Sequence, residues 1–288
     1  MCDPWLKIRP LPRPPHPALS LDRPLVYAHR GGSALRPENT IVAFDNGLAL
    51  GADGLELDVH LSRDGVVVVH HDPWLDRTTD ASGPIGARSA ADLARVNACA
   101  GFVRAGGVWD GEPAGIPTLI DVLRRYAGTR FIVEIKGPSP VLARAVVAAV
   151  GEAGVADRVC IGGFRLRALR AVRRADHSLA TSAAQVEVRL ALYASRIGLP
   201  AWPRRYAAFQ VPERSGATRI VSPRFVRLAH QAHLAVQVWT VNELADMRRL
   251  LDWGIDALIT DRPDVAVPAL QQWMRRAAGG GVRPLPGV

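Results

Sequence analysis

AVQVWTVNELADMRRLLDWGIDALITD, residues 235–261, decides the fold. AVQVWTV (235–241) is an apolar run of strand length, and NELADMRRLLDWG (242–254) has helical spacing with cap signals at both ends. DALITD (256–261) is a second strand. A strand, a helix and a strand in so short a stretch form one crossover unit of a parallel sheet.

The same alternation extends outward in both directions. PLVYAH (24–29) reads as a buried strand, and NTIVAFDNGLALG (39–51) as a helix with Asn39 or Thr40 as its cap and Gly51 past its end. DGLELDVHLS (53–62) sets Leu55, Leu57 and Val59 against Glu56, Asp58 and His60, the period of a strand. RDG then turns the chain into VVVVHHD (66–72), a returning strand. Residues 73–117 carry glycine, proline and short helical patches but no regular βα signal, and read as an insertion. Helix 118–128, strand FIVEIK (131–136), helix 141–154, strand RVCIGGF (158–164) and helix 165–175 follow. A weaker strand (178–183), helix 184–196, strand YAAFQVP (206–212) and helix 223–233 lead back to the opening stretch, and helix 265–278 follows it. Eight βα units over about 250 residues predict an α/β, TIM-type (β/α)8 barrel with a small insertion after the second strand. No G-x-G-x-x-G follows the first strand, which argues against an open dinucleotide-binding sheet. The expected domains are an extended proline-rich arm (1–23), the barrel (24–278, insertion 73–117) and a flexible glycine-rich tail (279–288).

Composition agrees with a globular chain. The 288 residues are 48% hydrophobic and 22% charged, which excludes a disordered, collagenous or coiled-coil protein. Cys2, Cys99 and Cys160 are too few and too scattered for a disulfide framework or a cysteine-rich zinc site. With no secretory signal and no apolar run near the roughly 18 residues of a membrane span, a cytoplasmic protein without stable membrane insertion is expected. The net charge of +9 is almost all arginine, since Lys7 and Lys136 are the only lysines. The arginines are dispersed where helix outer faces should lie, so a solvated basic surface is expected rather than a nucleic-acid partner.

In a barrel of this kind the strand C-termini build the site. His29 and Arg30 end the first strand, His71 and Asp72 end the returning strand, and Glu56/Asp58 and Glu134/Lys136 lie at i, i+2. Charges inside apolar strands are costly unless paired or metal-bound. Glu56, Asp58 and Glu134 supply three hard oxygens suited to Mg²⁺ or Ca²⁺. His29 and His71 suit acid–base work near neutral pH, and Arg30 and Lys136 can hold an anionic group. Together they suit displacement at a phosphate.

The stretch HRGGSALRPENTIVAFDNGLALGADGLELDVHLSRDGVVVVHHDPWLDRTTDASGPI (29–85) closely resembles the opening block of the glycerophosphodiester phosphodiesterase family. IPTLIDVL (116–123), FIVEIKG (131–137), VQVWTVN (236–242) and DALITDRPD (256–264) resemble later pieces of that family in the same order. The resemblance implies a TIM barrel that hydrolyses glycerophosphodiesters to sn-glycerol 3-phosphate and an alcohol with a divalent cation. It implies that His29 and His71 are the acid–base pair and that Glu56, Asp58 and Glu134 hold the metal. It also implies that Arg30 and Lys136 bind the phosphate and that Trp239 lines the mouth near the glycerol. His71 matches the family's His-Asp pair, which leaves His70 to packing. Asp261 is expected to brace the closing strand, and the sixth strand's FQVPE (209–213) carries no assigned role.

The attacking group is either water or the glycerol 2-hydroxyl, and residue identity does not choose. The competing expectation is a lysophospholipase D-like enzyme acting on lysolipids, which would need an apolar groove or a membrane-facing loop. A catalytically silent barrel that binds phosphorylated ligands or nucleic acid is the reading from another class, and it is opposed by a full set of matching catalytic and metal positions.

Overall fold

The computed structural model describes residues 16–19, 22–197, 199 and 205–278. From the N-terminal side, β1 (Leu25–His29) leads through α1 (Ile41–Ala49) to β2 (Gly54–Leu61), and a turn returns the chain as β3 (Val67–Val69). The segment that follows holds the short helices α2 (Ala90–Leu93) and α3 (Ala100–Arg104). Then come α4 (Leu119–Arg125), β4 (Arg130–Ile135), α5 (Pro140–Ala153), β5 (Val159–Gly162), α6 (Leu166–Ala175), β6 (Ala180–Thr181), α7 (Gln185–Arg196) and β7 (Ala208–Pro212). A small ribbon, β8 (Arg214–Ser215) with β9 (Thr218–Arg219), precedes α8 (Pro223–Gln231). The chain continues as β10 (Ala235–Trp239), α9 (Leu244–Asp252), β11 (Ala257–Thr260) and α10 (Pro263–Ala278).

Parallel pairing runs in the order β6-β5-β4-β2-β1-β11-β10-β7. A parallel bridge between Ser182 and Ala208 joins the two ends, so eight strands close into the (β/α)8 barrel that the alternation predicted. β3 stays outside the ring and pairs antiparallel with the end of β2. It stops at Val69, so His71 and Asp72 lie on a bend beyond the strand rather than at its end. The segment after it closes on its own cluster of Val68, Leu75, Ile85, Leu93 and Ile116.

Period-2 alternation sorts each strand's side chains. Leu55, Leu57 and Val59 point outward and pack with Val122, Leu123, Phe131 and Val133. Glu56 and Asp58, on the opposite face, point into the barrel. Helix ends follow local chemistry: the Thr40 hydroxyl accepts from the Ala43 N–H, and Gly154 closes α5 at φ 67°.

The arm differs from expectation where it is described. Pro17–Leu19 is a 3-10 turn rather than extended chain, with Ala18 and Leu19 buried against Cys160, Ala180, Ala208 and Ala235. Four small side chains at the N-terminal end of the barrel leave room that Ala18 and Leu19 fill. Arg130 donates to the Pro17 carbonyl at 2.8 Å and fixes the turn. Residues 1–15 and 20–21 of the arm, and the whole tail 279–288, lie outside the described residues. Among the described residues no helix is long and apolar enough to cross a membrane.

Candidate active site

Register brings the charged strand positions together at one mouth. His29 of β1 lies opposite Glu56 of β2, and Asp58 lies opposite Glu134 of β4. One cavity of about 250 Å³ is lined by all eight residues singled out from the sequence: His29, Arg30, Glu56, Asp58, His71, Glu134, Lys136 and Trp239.

Glu56, Asp58 and Glu134 each place a carboxylate oxygen within 4.8 Å of the others. Burial, with Asp58 alongside, pushes the Glu56 carboxyl up to about 8. Burial and Asp58 also raise Glu134. At Asp58 burial works in the same direction, but Lys136 and Arg30 outweigh it and hold the carboxyl below its usual range. Two buried carboxyls and a partly buried third, two of them with raised pKa values, make a hard-oxygen donor set that fits a divalent cation. Asp58 is fixed from behind by Asn39, whose Nδ2 donates to Oδ2 at 2.9 Å. Asn39 reaches it from φ 58°, a left-handed position that asparagine tolerates.

The two cations are tethered to these carboxylates. Lys136 Nζ donates to Glu134 Oε1 at 2.7 Å and lies 2.8 Å from Asp58 Oδ1. Burial works against its charge, but Asp58 and Glu134 outweigh it and raise its pKa. Arg30 donates from its backbone N–H to Glu56 Oε2 at 3.1 Å and from Nη1 to Glu38 Oε1 at 3.0 Å. Its buried Nε lies 3.3 Å from Asp58 Oδ2 without the alignment of a hydrogen bond.

Each imidazole is held by a carboxylate at Nδ1. Asp261, at about 2, is ionised and can only accept, so His29 Nδ1 donates to its Oδ1 at 2.6 Å. His29 Nε2 then faces Glu56 Oε2 at 3.7 Å. Burial disfavours the imidazolium, but Glu56 and Asp261 outweigh it and raise the His29 pKa. His71 Nδ1 donates to Asp72, which two Arg77 nitrogens also bind. Arg77 in turn grips Glu38 with two hydrogen bonds, at 2.8 and 2.7 Å, and so ties His71 to the Arg30 side of the cavity. His70 lies outside the cavity lining, buried against the Trp74 carbonyl.

Asp261 therefore does more than brace the last strand: it accepts from His29, from Ser33 and from Asn242. Glu38, Asn39, Arg77 and Asn242 carried no site expectation either. The available signal is the polar cluster of PENT (37–40), where Asn39 reads as a helix cap, Asn242 at the capped start of helix 242–254, and Arg77, which falls in the insertion without an assigned role. Opposite the charged wall the cavity is apolar. Phe164 and Trp239 meet there edge to face, with ring centroids 5.8 Å apart, beside Val188, Val211 and Ile220. Gln210 joins the lining, its amide donating to the buried Gln237 Oε1 at 2.9 Å.

Residues 29–265 match the sequence profile of the Glycerophosphoryl diester phosphodiesterase family. A glycerophosphodiester phosphodiesterase of Caldanaerobacter subterraneus is 32% identical over 248 residues, covering 84% of this chain and 96% of that protein. The crystal structure of a glycerophosphodiester phosphodiesterase from Agrobacterium tumefaciens aligns with a TM-score of 0.69 at 25% identity, over 85% of this chain and 99% of that one. An Oleispira antarctica phosphodiesterase, solved with the product sn-glycerol-3-phosphate, shares the fold with a TM-score of 0.66 at 24% identity, over 86% and 97% of the two chains.

Proposed function

Since the chain belongs to the glycerophosphoryl diester phosphodiesterase family and is a phosphodiesterase, we propose that its cavity hydrolyses glycerophosphodiesters to sn-glycerol 3-phosphate and an alcohol, with Glu56, Asp58 and Glu134 holding Mg²⁺ or Ca²⁺. The observation that carries the reading is the meeting of three carboxylates within 4.8 Å of one another with two imidazoles on the same cavity wall. When bound, the divalent cation supplies Lewis-acid charge against the phosphoryl oxygens.

The chain's own groups supply the rest. Arg30 and Lys136 hold the phosphodiester oxygens and offset the charge that builds on them in the transition state. His29 and His71 each have Nδ1 committed to a carboxylate, so Nε2 is the atom that exchanges a proton. One imidazole takes the proton of the attacking hydroxyl and the other returns one to the leaving alkoxide. Trp239 packs against the glycerol side of the substrate. The attacking hydroxyl comes from water or from the glycerol 2-position, and in the second case a cyclic phosphate forms first. The product of the Oleispira antarctica relative is consistent with the products proposed here.

The test is a panel of glycerophosphocholine, glycerophosphoethanolamine and lysophosphatidylcholine, assayed with Mg²⁺, with Ca²⁺ and after chelation. Glycerol 3-phosphate should be released from the first two substrates, only with a cation, and it should fall to background in His29→Ala, His71→Ala and Glu56→Gln. Turnover of lysophosphatidylcholine alone would overturn the substrate class. Wild-type rates in these variants would overturn the residue assignment.

A further inference from the structure

The outer face of α7 is at odds with a simple water-facing helix. Its buried side is Val188, Ala191 and Ser195. Val186, Leu190, Tyr193 and Ile197 are nevertheless 45%, 66%, 63% and 74% exposed. At i, i+4, i+7 and i+11 these four lie in one narrow stripe on the helix, pointing away from the barrel. A scattered exposed leucine needs no explanation, but a continuous stripe does.

The stripe has a basic frame. Arg189 and Arg196 flank it on one side, and Arg196 lies over the Tyr193 ring at 5.5 Å. On the other side Arg170 and Arg174 of α6 line the groove that Val186 and Leu190 border. From Arg165 to Ile197 the sequence holds seven arginines and two carboxylates, Asp176 and Glu187. Glu187 is taken by the buried Arg173, and Asp176 accepts from Ser178. Among the described residues none of Arg170, Arg174, Arg189 and Arg196 has a carboxylate partner.

We propose that this face of α7 docks the enzyme onto an anionic phospholipid surface. Apolar side chains that enter the headgroup boundary, a tyrosine with a polar tip and arginines at the rim are what an interfacial helix presents to acidic lipid. A second copy fits less well, because a two-fold contact through the stripe sets Arg189 and Arg196 against a like-charged face with no acid to receive them. Nucleic acid fits less well still, because four apolar side chains occupy the centre of the patch. The face adjoins the active site: Gln185, the first residue of α7, lines the cavity, as does the half-exposed Phe164 that precedes α6.

The test is co-sedimentation of the full chain with vesicles of phosphatidylcholine alone and of phosphatidylcholine mixed with phosphatidylglycerol. This reads no turnover, so it stands or falls apart from the phosphodiesterase assignment. The wild type should bind the mixed vesicles, release them at high salt and ignore the neutral ones. Arg189→Ser/Arg196→Ser should bind roughly thirtyfold more weakly, at about 1 kcal/mol per arginine. Leu190→Glu/Ile197→Glu should abolish binding while keeping the wild-type unfolding midpoint, since both side chains are largely exposed. A wild type that ignores mixed vesicles, or variants that bind as it does, would overturn the proposal. So would light scattering that shows a dimer dissolved by Leu190→Glu/Ile197→Glu.

Discussion

His29 Nδ1 donates to Asp261 Oδ1 at 2.6 Å across 232 residues of sequence. The contact spans the seam where β1, the first barrel strand, pairs with β11, the last. It fixes the tautomer of His29 and aims Nε2 at the carboxylate cluster. Arg77 and Asp72 serve His71 in the same way from outside the ring.

Asp261→Asn replaces an obligate acceptor with a group that can also donate, and so frees His29 to adopt the other tautomer. The expected outcome is a kcat on glycerophosphocholine lowered roughly a hundredfold or more with KM little changed. A variant that keeps the wild-type kcat would remove Asp261 from any positioning role.

Asn39 is outside the cavity lining and orients Asp58 from behind. Asn39→Gly keeps a residue that tolerates the positive φ at this position while deleting the amide. Cation affinity, measured by calorimetric titration, should weaken roughly 10- to 100-fold with the fold intact. Unchanged affinity would mean that Asp58 is set by Lys136 and Arg30 alone.

In protein stripped of cations Glu56, at about 8, holds its proton at neutral pH. Binding a divalent cation must expel that proton. Affinity should therefore rise with pH and level off above about 8. The apparent binding enthalpy at neutral pH should also change with the ionisation enthalpy of the buffer, and a buffer-independent enthalpy would sink the idea. The stability sign is the reverse of the usual carboxylate: the folded value lies above the ordinary 4.5. This group's contribution in the stripped protein is complete below 4.5 and is lost as pH climbs toward 8.

Gly54 faces the barrel interior against the Tyr27 ring. A Cβ there would lie 2.5 Å from Tyr27 Cε1 and 2.7 Å from the Arg130 carbonyl oxygen. The ring is fully buried and the carbonyl is strand backbone, so neither yields easily. Gly54→Ala should cost about 1–3 kcal/mol in urea unfolding, and a neutral substitution would show that the barrel interior is looser than its contacts suggest.

The strand–helix alternation, the faces of the strands and hence which carboxylates share a side are legible in the order of residues alone. Those follow from local periods of 2 and 3.6 residues, which need no knowledge of neighbours. That order could not show that Asp261 reaches His29, that Asn39 holds Asp58, or that Arg77 joins Asp72 to Glu38, because such contacts depend on ring closure and strand register. Nor could it show that Leu19 seals the barrel floor, since the room for it is left by alanines on three different strands and Cys160 on a fourth. The stripe on α7 was hidden for the same reason: which of the helix's apolar residues face outward is set by its packing against the barrel. Local pattern sets what each segment can be, and only the closed barrel decides which far-apart side chains meet and which are left to face outward.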